Sequence, residues 1–375
     1  MSSKIAFVEQ ASRPRANIAA LCRQHGISRQ TGHKWLKRYQ EVGYEGLEDQ
    51  SRRPKSAPLA TGEEIVAALL AARAKHPRWG PRKLVRLLGR QFGELAPSER
   101  TIARVLERFG QVRQRRKRRG LSVVERAPQV TAQSSNDVWT IDFKGWWRAS
   151  DGSRCNPLTV RDAYSRFVLA LSLLPRSTGE EVQPVLERLF RRYGIPKAIQ
   201  CDNGTPFVSV RSAAGLSTLS AWWVSLGIRI VRSRPGCPQD NGGHERMHRD
   251  IAGELQAVPE ASVPLQQRAC DKWRQEFNHV RPHDALRGKT PADVYRPAKS
   301  RLTIRPIAYP PGWRVLRVKT GGNICKDEFV STALAGYFVG LQPIGGLRYR
   351  VWFYDVDLGE LEMTPSLPVL SRIAS

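Results

Sequence analysis

The chain has 375 residues, of which 41% are hydrophobic, so it can form two to four domains with buried cores. Its 61 Lys and Arg against 34 Asp and Glu, a formal charge of +27, favour a nucleic-acid partner. The absence of any run of about 18 apolar residues excludes a membrane-spanning helix, so we expect no membrane partner. With no apolar signal core, the sequence predicts a soluble, cytoplasmic protein. A basic packaging protein is the alternative, but patterned Trp and Tyr argue against it.

The cysteines are scattered, with no CxxC pair. This spacing argues against a zinc ribbon and against a disulfide framework. We expect buried thiols in a reducing compartment at positions 22, 155, 201, 237, 270 and 325.

Residues 1–50 predict a helix-turn-helix DNA-binding domain. Two short helices, 16–24 and 28–39, flank a glycine-containing turn, and Ser28 is the expected N-cap of the second. The second helix of this motif enters the major groove. A generic helical hairpin is the alternative, but the basic, polar face favours DNA binding. The expected DNA contacts are Arg29, Gln30, His33 and Lys34.

A linker at 48–60 leads to a second helical domain, predicted at 61–112. Thr61-Gly62-Glu63-Glu64 has the pattern of a capping box, Pro81 begins a second helix, and Ser98 caps a third. We interpret this segment as a second DNA-binding module, with Arg82 and Lys83 as candidate contacts.

Residues 113–135 form a basic linker in this interpretation. Six of the seven residues from 113 to 119 are basic, and residues 1–120 carry a net charge of +17, with 27 Lys and Arg against 10 Asp and Glu. Such a run is typical of a solvated tether that binds the phosphate backbone, with a nuclear signal as the weaker alternative. The candidate DNA contacts are Arg115, Arg116, Lys117 and Arg118.

Residues 136–298 predict a mixed sheet covered by helices, in the order β-β-β-α-β-α-β-α. The predicted strands are 138–147, 157–163, 167–174, 198–201 and 228–231, and the predicted helices are 178–193, 216–226, 239–255 and 263–279.

The tail, residues 304–365, predicts a small β-barrel because short strands alternate with glycine-rich turns. The five predicted strands are 315–319, 329–331, 337–341, 349–354 and 358–361.

Three carboxylates combine into a candidate catalytic site. Asp142 ends the apolar run 138–141 in the first core strand, Asp202 follows the fourth strand and opens an Asp-Asn-Gly turn, and Glu245 lies near the start of a helix. Each alone is more often a structural residue, at a strand end, a turn or a helix N-terminus. Together they match the carboxylates that hold two divalent cations for phosphodiester chemistry. We therefore predict two Mg²⁺ ions, with Mn²⁺ able to substitute.

Other polar residues near these acids have competing explanations. Asp162 is expected to cap a turn between strands, and Asp240 to shape the loop before the Glu245 helix. His244 and His248 flank Glu245, and a metal-ligand role for them is the less favoured alternative. Arg246 and Arg249 on the same helix are candidate DNA contacts.

The motifs around these acids resemble those of DDE-type insertion-sequence transposases, whose core resembles retroviral integrase. The matching stretches are Trp139-Thr140-Ile141-Asp142-Phe143, Cys201-Asp202-Asn203-Gly204, Gln239-Asp240-Asn241-Gly242-Gly243-His244-Glu245-Arg246 and Asn278-His279-Val280-Arg281-Pro282-His283. The N-terminal modules and the β-rich tail also resemble that family, so the resemblance covers nearly the whole chain.

The resemblance implies a multidomain α/β protein with a ribonuclease H-like core. It implies that Asp142, Asp202 and Glu245 are the metal-binding triad, and that the enzyme cleaves the ends of a mobile element and transfers them to target DNA. The partners would be double-stranded DNA, both element ends and target, and further copies of the chain assembled on it.

The sequence departs from the family pattern at two points. Asp202 and Glu245 are 43 positions apart, which is longer than usual, and we place the extra residues in a loop at 208–218. The helix after Glu245 lacks the lysine often found there, and Arg249 is the expected substitute.

Two other functions fit parts of the sequence. A DNA-binding regulator with an inactive core would keep the N-terminal modules but would not need the complete triad. A nuclease for RNA–DNA hybrids would use the acids but would not need two duplex-DNA modules.

Overall fold

The computed structural model describes residues 2–49, 61–112, 130–210, 212–234, 237–299, 302–325 and 328–363. The chain divides into two compact units, Met1–Gly62 and Glu63–Ser375. Nearly all of the predicted linker at 48–60 lies outside the described residues. So do Arg115, Arg116, Lys117 and Arg118 of the basic run.

Residues 2–49 of the first unit form three helices and confirm the predicted helix pair. They are α1 (Ser2–Ala11), α2 (Ile18–Gln24) and α3 (Arg29–Val42), followed by a 3-10 turn, Gly43–Leu47. Helix α1 was not predicted, because it has no capping signal. Its Phe7 and Val8 are fully buried, so α1 supplies the core of this unit.

Caps and close packing set the geometry of α3. The Ser28 hydroxyl accepts a hydrogen bond from the Thr31 amide at 3.1 Å, which confirms the predicted N-cap. Gly32 faces the other two helices so closely that a Cβ atom there would lie 2.6 Å from the Cys22 sulfur and 2.8 Å from the Phe7 ring. A glycine in mid-helix is explained here by contact with neighbouring helices.

The second unit begins with three helices that share one small core. They are α4 (Glu63–Lys75), α5 (Pro81–Phe92) and α6 (Glu99–Arg108). Pro81 occupies the first turn of α5, and Ser98 caps α6 by accepting from the Thr101 amide at 3.3 Å, as predicted. The shared core consists mainly of Leu69, Trp79, Leu84, Leu88, Ile102 and Leu106.

A six-stranded mixed sheet forms the centre of this unit and confirms the predicted mixed sheet. The strands are β1 (Val138–Phe143), β2 (Trp147–Arg148), β3 (Arg154–Asp162), β4 (Val168–Leu174), β5 (Ala198–Cys201) and β6 (Arg229–Arg232). The path runs β2-β3-β1-β5-β6, with β4 also paired to β3. Strands β1, β5 and β6 are parallel, whereas β3 and β4 are antiparallel to their neighbours.

Helices cover both faces of the sheet. They are α7 (Gly179–Tyr193), α8 (Thr218–Ser225), α9 (Gly242–Ile251), α10 (Val263–His279) and α11 (Pro291–Val294). Trp139 and Ile141 of β1 join the core formed with α7 and α8. Because side chains alternate along a strand, the intervening Thr140 and Asp142 face the other side, under α9.

The bounds of two predicted elements differ from those observed. The predicted strand 138–147 is interrupted at Gly145, which has a φ of +89°. The predicted helix 239–255 begins only at Gly242, after a 3-10 turn at Pro238–Asn241, and passes into a π-helical turn at Ala252–Gln256.

The tail forms a four-stranded antiparallel sheet in the order β10-β9-β8-β7. Its strands are β7 (Arg314–Arg317), β8 (Phe338–Gly345), β9 (Arg348–Phe353) and β10 (Val356–Glu362). The predicted barrel is not confirmed because the sheet is open in the described residues. Of the predicted strand at 329–331, only the isolated bridge Asn323–Phe329 forms.

The tail sheet packs against the core through α8 and through Leu216 just before it. Leu216, Ala221 and Val224 share a buried cluster with Leu334, Val339, Leu341 and other residues of the tail. The extra residues placed at 208–218 therefore help to dock the tail.

Five of the six cysteines are buried, which agrees with the prediction. None of the helices within the described ranges is both long and apolar enough to span a lipid bilayer.

Candidate active site

Asp142 and Asp202 lie at neighbouring ends of two parallel strands. Strands β1 and β5 pair in the register Trp139↔Ile199 and Thr140↔Gln200, and continuing it sets Asp202 beside Asp142. Asp142 is partly buried and Asp202 is exposed. Burial, and then the charge of Asp202, raise the pKa of Asp142 to about 6. The two carboxylates are therefore close enough to repel one another, and a cation between them would relieve that repulsion.

Helix α9 and the turn before it contact Asp142 from the side. The Asn241 amide nitrogen donates to Asp142 Oδ2 at 2.8 Å, and His248 Nδ1 lies 4.0 Å from the same oxygen. Asn241 was not singled out in the sequence analysis, although it belongs to the Asp-Asn-Gly-Gly motif. It holds one Asp142 oxygen in place.

Below Asp142, two histidines and two threonines form a buried polar layer. The Thr159 hydroxyl donates to the Asp142 carbonyl oxygen at 2.9 Å, and it also lies 3.0 Å from His244 Nδ1 and 2.9 Å from His248 Nε2. His244 Nε2 lies 2.7 Å from the Thr140 hydroxyl. Burial lowers the pKa of His248 to about 4 and that of His244 well below its ordinary value, so both are neutral near pH 7.

The ligand atoms of Asp142, His244 and His248 lie within 4.8 Å of one another. Three of the four imidazole nitrogens, however, already face threonine hydroxyls, which leaves only His248 Nδ1 free of a short contact. The two carboxylates are the hard oxygen donors that Mg²⁺ prefers. The donor set therefore fits a carboxylate-bound divalent cation better than a histidine-bound zinc ion.

Unlike Asp202, which the strand register sets beside Asp142, Glu245 lies on a helix. Its side chain is exposed on the first turn of α9, outside the cluster of Asp142 and the two histidines. It lies four residues after Asn241 and three before His248, and both of these face Asp142. Because such spacings share one helix face, the backbone places Glu245 at the rim of the site.

Two other predictions for acids are confirmed. Asp162 accepts from the Ser165 amide at 2.8 Å and the Ser165 hydroxyl at 2.6 Å, as a turn cap does. Asp240 binds the Arg234 amide at 3.1 Å and its guanidinium at 2.7 Å, so it shapes the loop before α9.

The predicted DNA contacts fall into distinct environments. Arg29, Gln30, His33 and Lys34 are all exposed on one face of α3. Arg246 and Arg249 are exposed on α9, and Arg82 is exposed but paired with Glu99 at 3.2 Å. Lys83 instead is half-buried against the sheet domain.

Comparison with known protein families agrees with this architecture. A helix-turn-helix domain matches residues 3–55, and a homeodomain-like domain matches residues 31–106. Two integrase core domain models match residues 132–238 and 226–291. The fold and the site thus define a protein with N-terminal DNA-binding helices and an integrase core.

Two individual relatives identify the family within this class. A protein of insertion element IS407 from Burkholderia multivorans is 30% identical over 247 residues, covering 66% of this chain and 85% of its own length. A protein of insertion element IS476 from Xanthomonas euvesicatoria is 25% identical over 297 residues, covering 79% and 83%. The chain belongs to this family of insertion-element transposases with an integrase core. Among solved structures, the magnesium complex of the HTLV-2 integrase catalytic core is 18% identical, covering 44% of this chain and 100% of that one with a TM-score of 0.35.

Proposed function

We propose that this protein binds the ends of its mobile element and catalyses metal-dependent DNA cleavage and strand transfer. The observation that carries the proposal is the pair of carboxylates, Asp142 and Asp202, at adjoining strand ends of an integrase core. Its basic charge of +27 and its helix-turn-helix region fit a DNA substrate.

Asp142, Asp202 and Glu245 would hold two Mg²⁺ ions, or Mn²⁺ in their place. When bound, these ions supply an activated oxygen nucleophile and stabilise the leaving oxygen. Asn241 orients Asp142, and the neutral His248 keeps a second positive charge out of the site. Glu245 would join the two aspartates by a side-chain rotation at the rim.

The chemistry is two in-line displacements at phosphorus. In the first, a water oxygen bonds to phosphorus and the bond to the 3′ oxygen breaks, which leaves a 3′-hydroxyl at the element's end. In the second, that hydroxyl bonds to a target phosphorus and the target's own 3′ oxygen leaves. Each step makes and breaks one P–O bond, so no external energy source is required.

The exposed face of α3, with Arg29, Gln30, His33 and Lys34, would read the element's ends. Arg82, Lys83, Arg246 and Arg249, and the basic residues at 115–118, would contact the phosphate backbone. Two ends must be joined to one target, so the working form would be a homo-oligomer on DNA. It would act in the cytoplasm, at the nucleoid.

The test is a cleavage and strand-transfer assay with labelled DNA that carries the element's ends, in Mg²⁺ or Mn²⁺. The native chain should yield nicked and joined products. Asp142→Asn and Asp202→Asn should abolish both while leaving DNA affinity nearly unchanged. Asp271→Asn is the control because Asp271 is an exposed acid on α10, remote in sequence from the site. Retained cleavage in Asp142→Asn would overturn the proposal.

A DNA-binding regulator with an inactive core is the second candidate. The exposed position of Glu245, apart from the group around Asp142, favours it. Specific binding of the element's ends by the native chain, without cleavage in either metal, would support the regulator. Loss of cleavage in Glu245→Gln, with cleavage present in the native chain, would exclude it.

A further inference from the structure

A cavity of about 370 Å³ lies beside the candidate active site, between α5, β3 and the first turn of α9. Positive side chains dominate its lining. They are Lys83, Arg161, Arg166 and Arg246.

Arg161 is the most unusual of these residues because its charge is buried without compensation. Only 8% of the residue is exposed, and its Nε has no hydrogen-bond partner within the described part of the chain. The described residues also provide no carboxylate within ion-pairing distance of its guanidinium. Buried charges in proteins are normally paired, so an unpaired one indicates a missing anion.

The first turn of α9 lies directly against this guanidinium. A Cβ atom at Gly243 would lie 2.4 Å from an Arg161 guanidinium nitrogen, so only glycine permits the approach. Gly242 and Gly243 begin a ten-residue helix, and its N-terminal amides carry partial positive charge. The positive guanidinium and the positive N-terminal end of the helix repel one another. An anion bound between them would be attracted to both.

Burial and neighbouring positive charges act on two of the cations at the cavity. Burial, followed by the charge of Arg281, lowers the pKa of Lys83 to about 8. Burial and the charge of Arg166 lower the pKa of Arg161 to about 10. Of the two acids at the cavity, Asp250 already binds Arg281 at 3.2 Å and Asp284 is exposed.

We propose that this cavity is a binding site for a phosphate group, held by Arg161 and the first amides of α9, with Lys83, Arg166 and Arg246 around it. The phosphate has two possible sources, the backbone of bound DNA or a free phosphate anion. The position of Lys83 on α5, in the second helical module, favours DNA. That choice of source rests on the proposed DNA-binding function, whereas the phosphate site itself does not.

Inorganic phosphate is the first probe. Thermal unfolding of the full chain is measured in increasing phosphate, against chloride at matched ionic strength. The melting temperature of the native chain should rise by about 2–5 °C at phosphate concentrations near 100 times its dissociation constant. Arg161→Met should remove this response. It should fold at least as well as the native chain without phosphate because it removes an unpaired buried charge.

The matched control is Arg154→Met, on the same strand as Arg161 but outside the cavity, which should keep the full response. Arg246→Met is a second variant. The Arg246 side chain is exposed, so its removal does not disturb the core, and the variant should weaken phosphate binding several-fold. No phosphate-specific shift in the native chain, or an unchanged shift in Arg161→Met, would overturn the proposal.

A competition experiment then distinguishes the two sources. If the site holds a DNA phosphate, inorganic phosphate should compete with a duplex, and Arg161→Met should lower DNA affinity more than Arg154→Met does. If the site holds a free anion, DNA affinity should be unaffected by either change. Either result is compatible with a phosphate site in this cavity. Neither result depends on DNA cleavage, so a failure of the catalytic proposal would be detected separately, in the cleavage assay.

Discussion

At the residue scale, Asp137 and Asp142 lie five positions apart but in opposite electrostatic environments. Burial and the charge of Asp202 raise the pKa of Asp142 to about 6, from an ordinary value of 3.8. A hydrogen bond from Lys197, 2.8 Å from the carboxylate, lowers the pKa of Asp137 to about 2. Ionisation of Asp142 therefore opposes folding, whereas ionisation of Asp137 supports it.

Replacing Asp142 with Asn should stabilise the metal-free protein at pH 7. Between about pH 4 and 6 the folded chain binds more protons at Asp142 than the unfolded chain does, so native stability falls as pH rises through this window. The effect is at most on the order of 3 kcal/mol, and the variant should lack it. Thermal unfolding between pH 4 and 8 measures this. The variant should also lose any stabilisation by Mg²⁺.

Asp137→Asn is the matched control, with the opposite sign. Its folded pKa is depressed, so its contribution is present above about pH 4 and disappears as pH falls toward 2. The variant should melt at a lower temperature than the native chain at pH 7. A lower melting temperature for Asp142→Asn as well would contradict the opposing roles of the two residues.

At the scale of elements, α3 presents a polar face outward and a glycine inward. Its exposed residues include Arg29, Lys34 and Lys37, whereas Gly32 is buried against α1 and α2. The same helix thus has to pack tightly on one side while it offers the predicted DNA contacts on the other.

Replacing Arg29 and Lys34 together with Ala should weaken binding to the element's ends more than binding to random DNA. Side chains at the start of a recognition helix reach base edges, whereas contacts to phosphates do not depend on the DNA sequence. Fluorescence anisotropy with both duplexes measures the difference. Arg188→Ala with Arg191→Ala on α7 removes the same charge from exposed positions and is the control. Equal losses on both DNAs would show that Arg29 and Lys34 contact only the backbone.

Gly32→Ala should destabilise the first unit, although alanine is usually the better helix former. A Cβ atom there would overlap the Cys22 sulfur and the Phe7 ring, and overpacking costs about 1–3 kcal/mol. Gly89→Ala on α5 is the contrast, because no atom lies within 4 Å of its Cβ position. It should stabilise by about 0.5–1 kcal/mol. Hydrogen exchange in peptides from 2–49 and 63–108 would report each effect, and protection gained in Gly32→Ala would contradict the packing argument.

At the scale of the whole molecule, the second helical module and the core share one compact unit. Arg281, from the signature segment after α10, is 3% exposed and binds Asp250 at 3.2 Å and Glu254 at 2.9 Å. Its guanidinium also lies 5.9 Å from the ring of Trp79, in the helical module. The segment that the resemblance identified as a signature therefore joins two modules.

Arg281→Met should lower the stability of this unit by about 3 kcal/mol, since it leaves two acids without their partner in a largely buried place. Arg191→Met is the control, because its pair with Glu187 is exposed and contributes less than about 1 kcal/mol. Denaturant unfolding measures both. A change no larger than that of the control would show that Arg281 does not hold the modules together.

DNA affinity should fall steeply with salt because the protein carries a net charge of +27. Each phosphate neutralised adds about 0.9 to the slope of log affinity against log salt concentration. Titrations at several salt concentrations would measure the slope. A slope near zero would exclude backbone contacts as the source of affinity.

Local sequence determined the secondary structure and the order of the modules. Caps such as Ser28 and Ser98, and the apolar alternation around Trp139 and Ile141, act within a few residues, so they can be identified without the fold. The adjacency of Asp142 and Asp202 was also predictable, since both follow short apolar strands. The structure of the tail was less predictable, because strand pairing and barrel closure depend on partners that are distant in sequence.

Only the tertiary structure decided what surrounds those acids. It placed Asn241 and His248 against Asp142, left Glu245 at the rim, and buried Arg161 under the first turn of α9. These features depend on how a helix lies across a sheet, and contacts between residues 82 to 106 positions apart leave no periodic signal in the sequence. The sequence therefore determined which residue types were available for chemistry, and packing determined which of them meet.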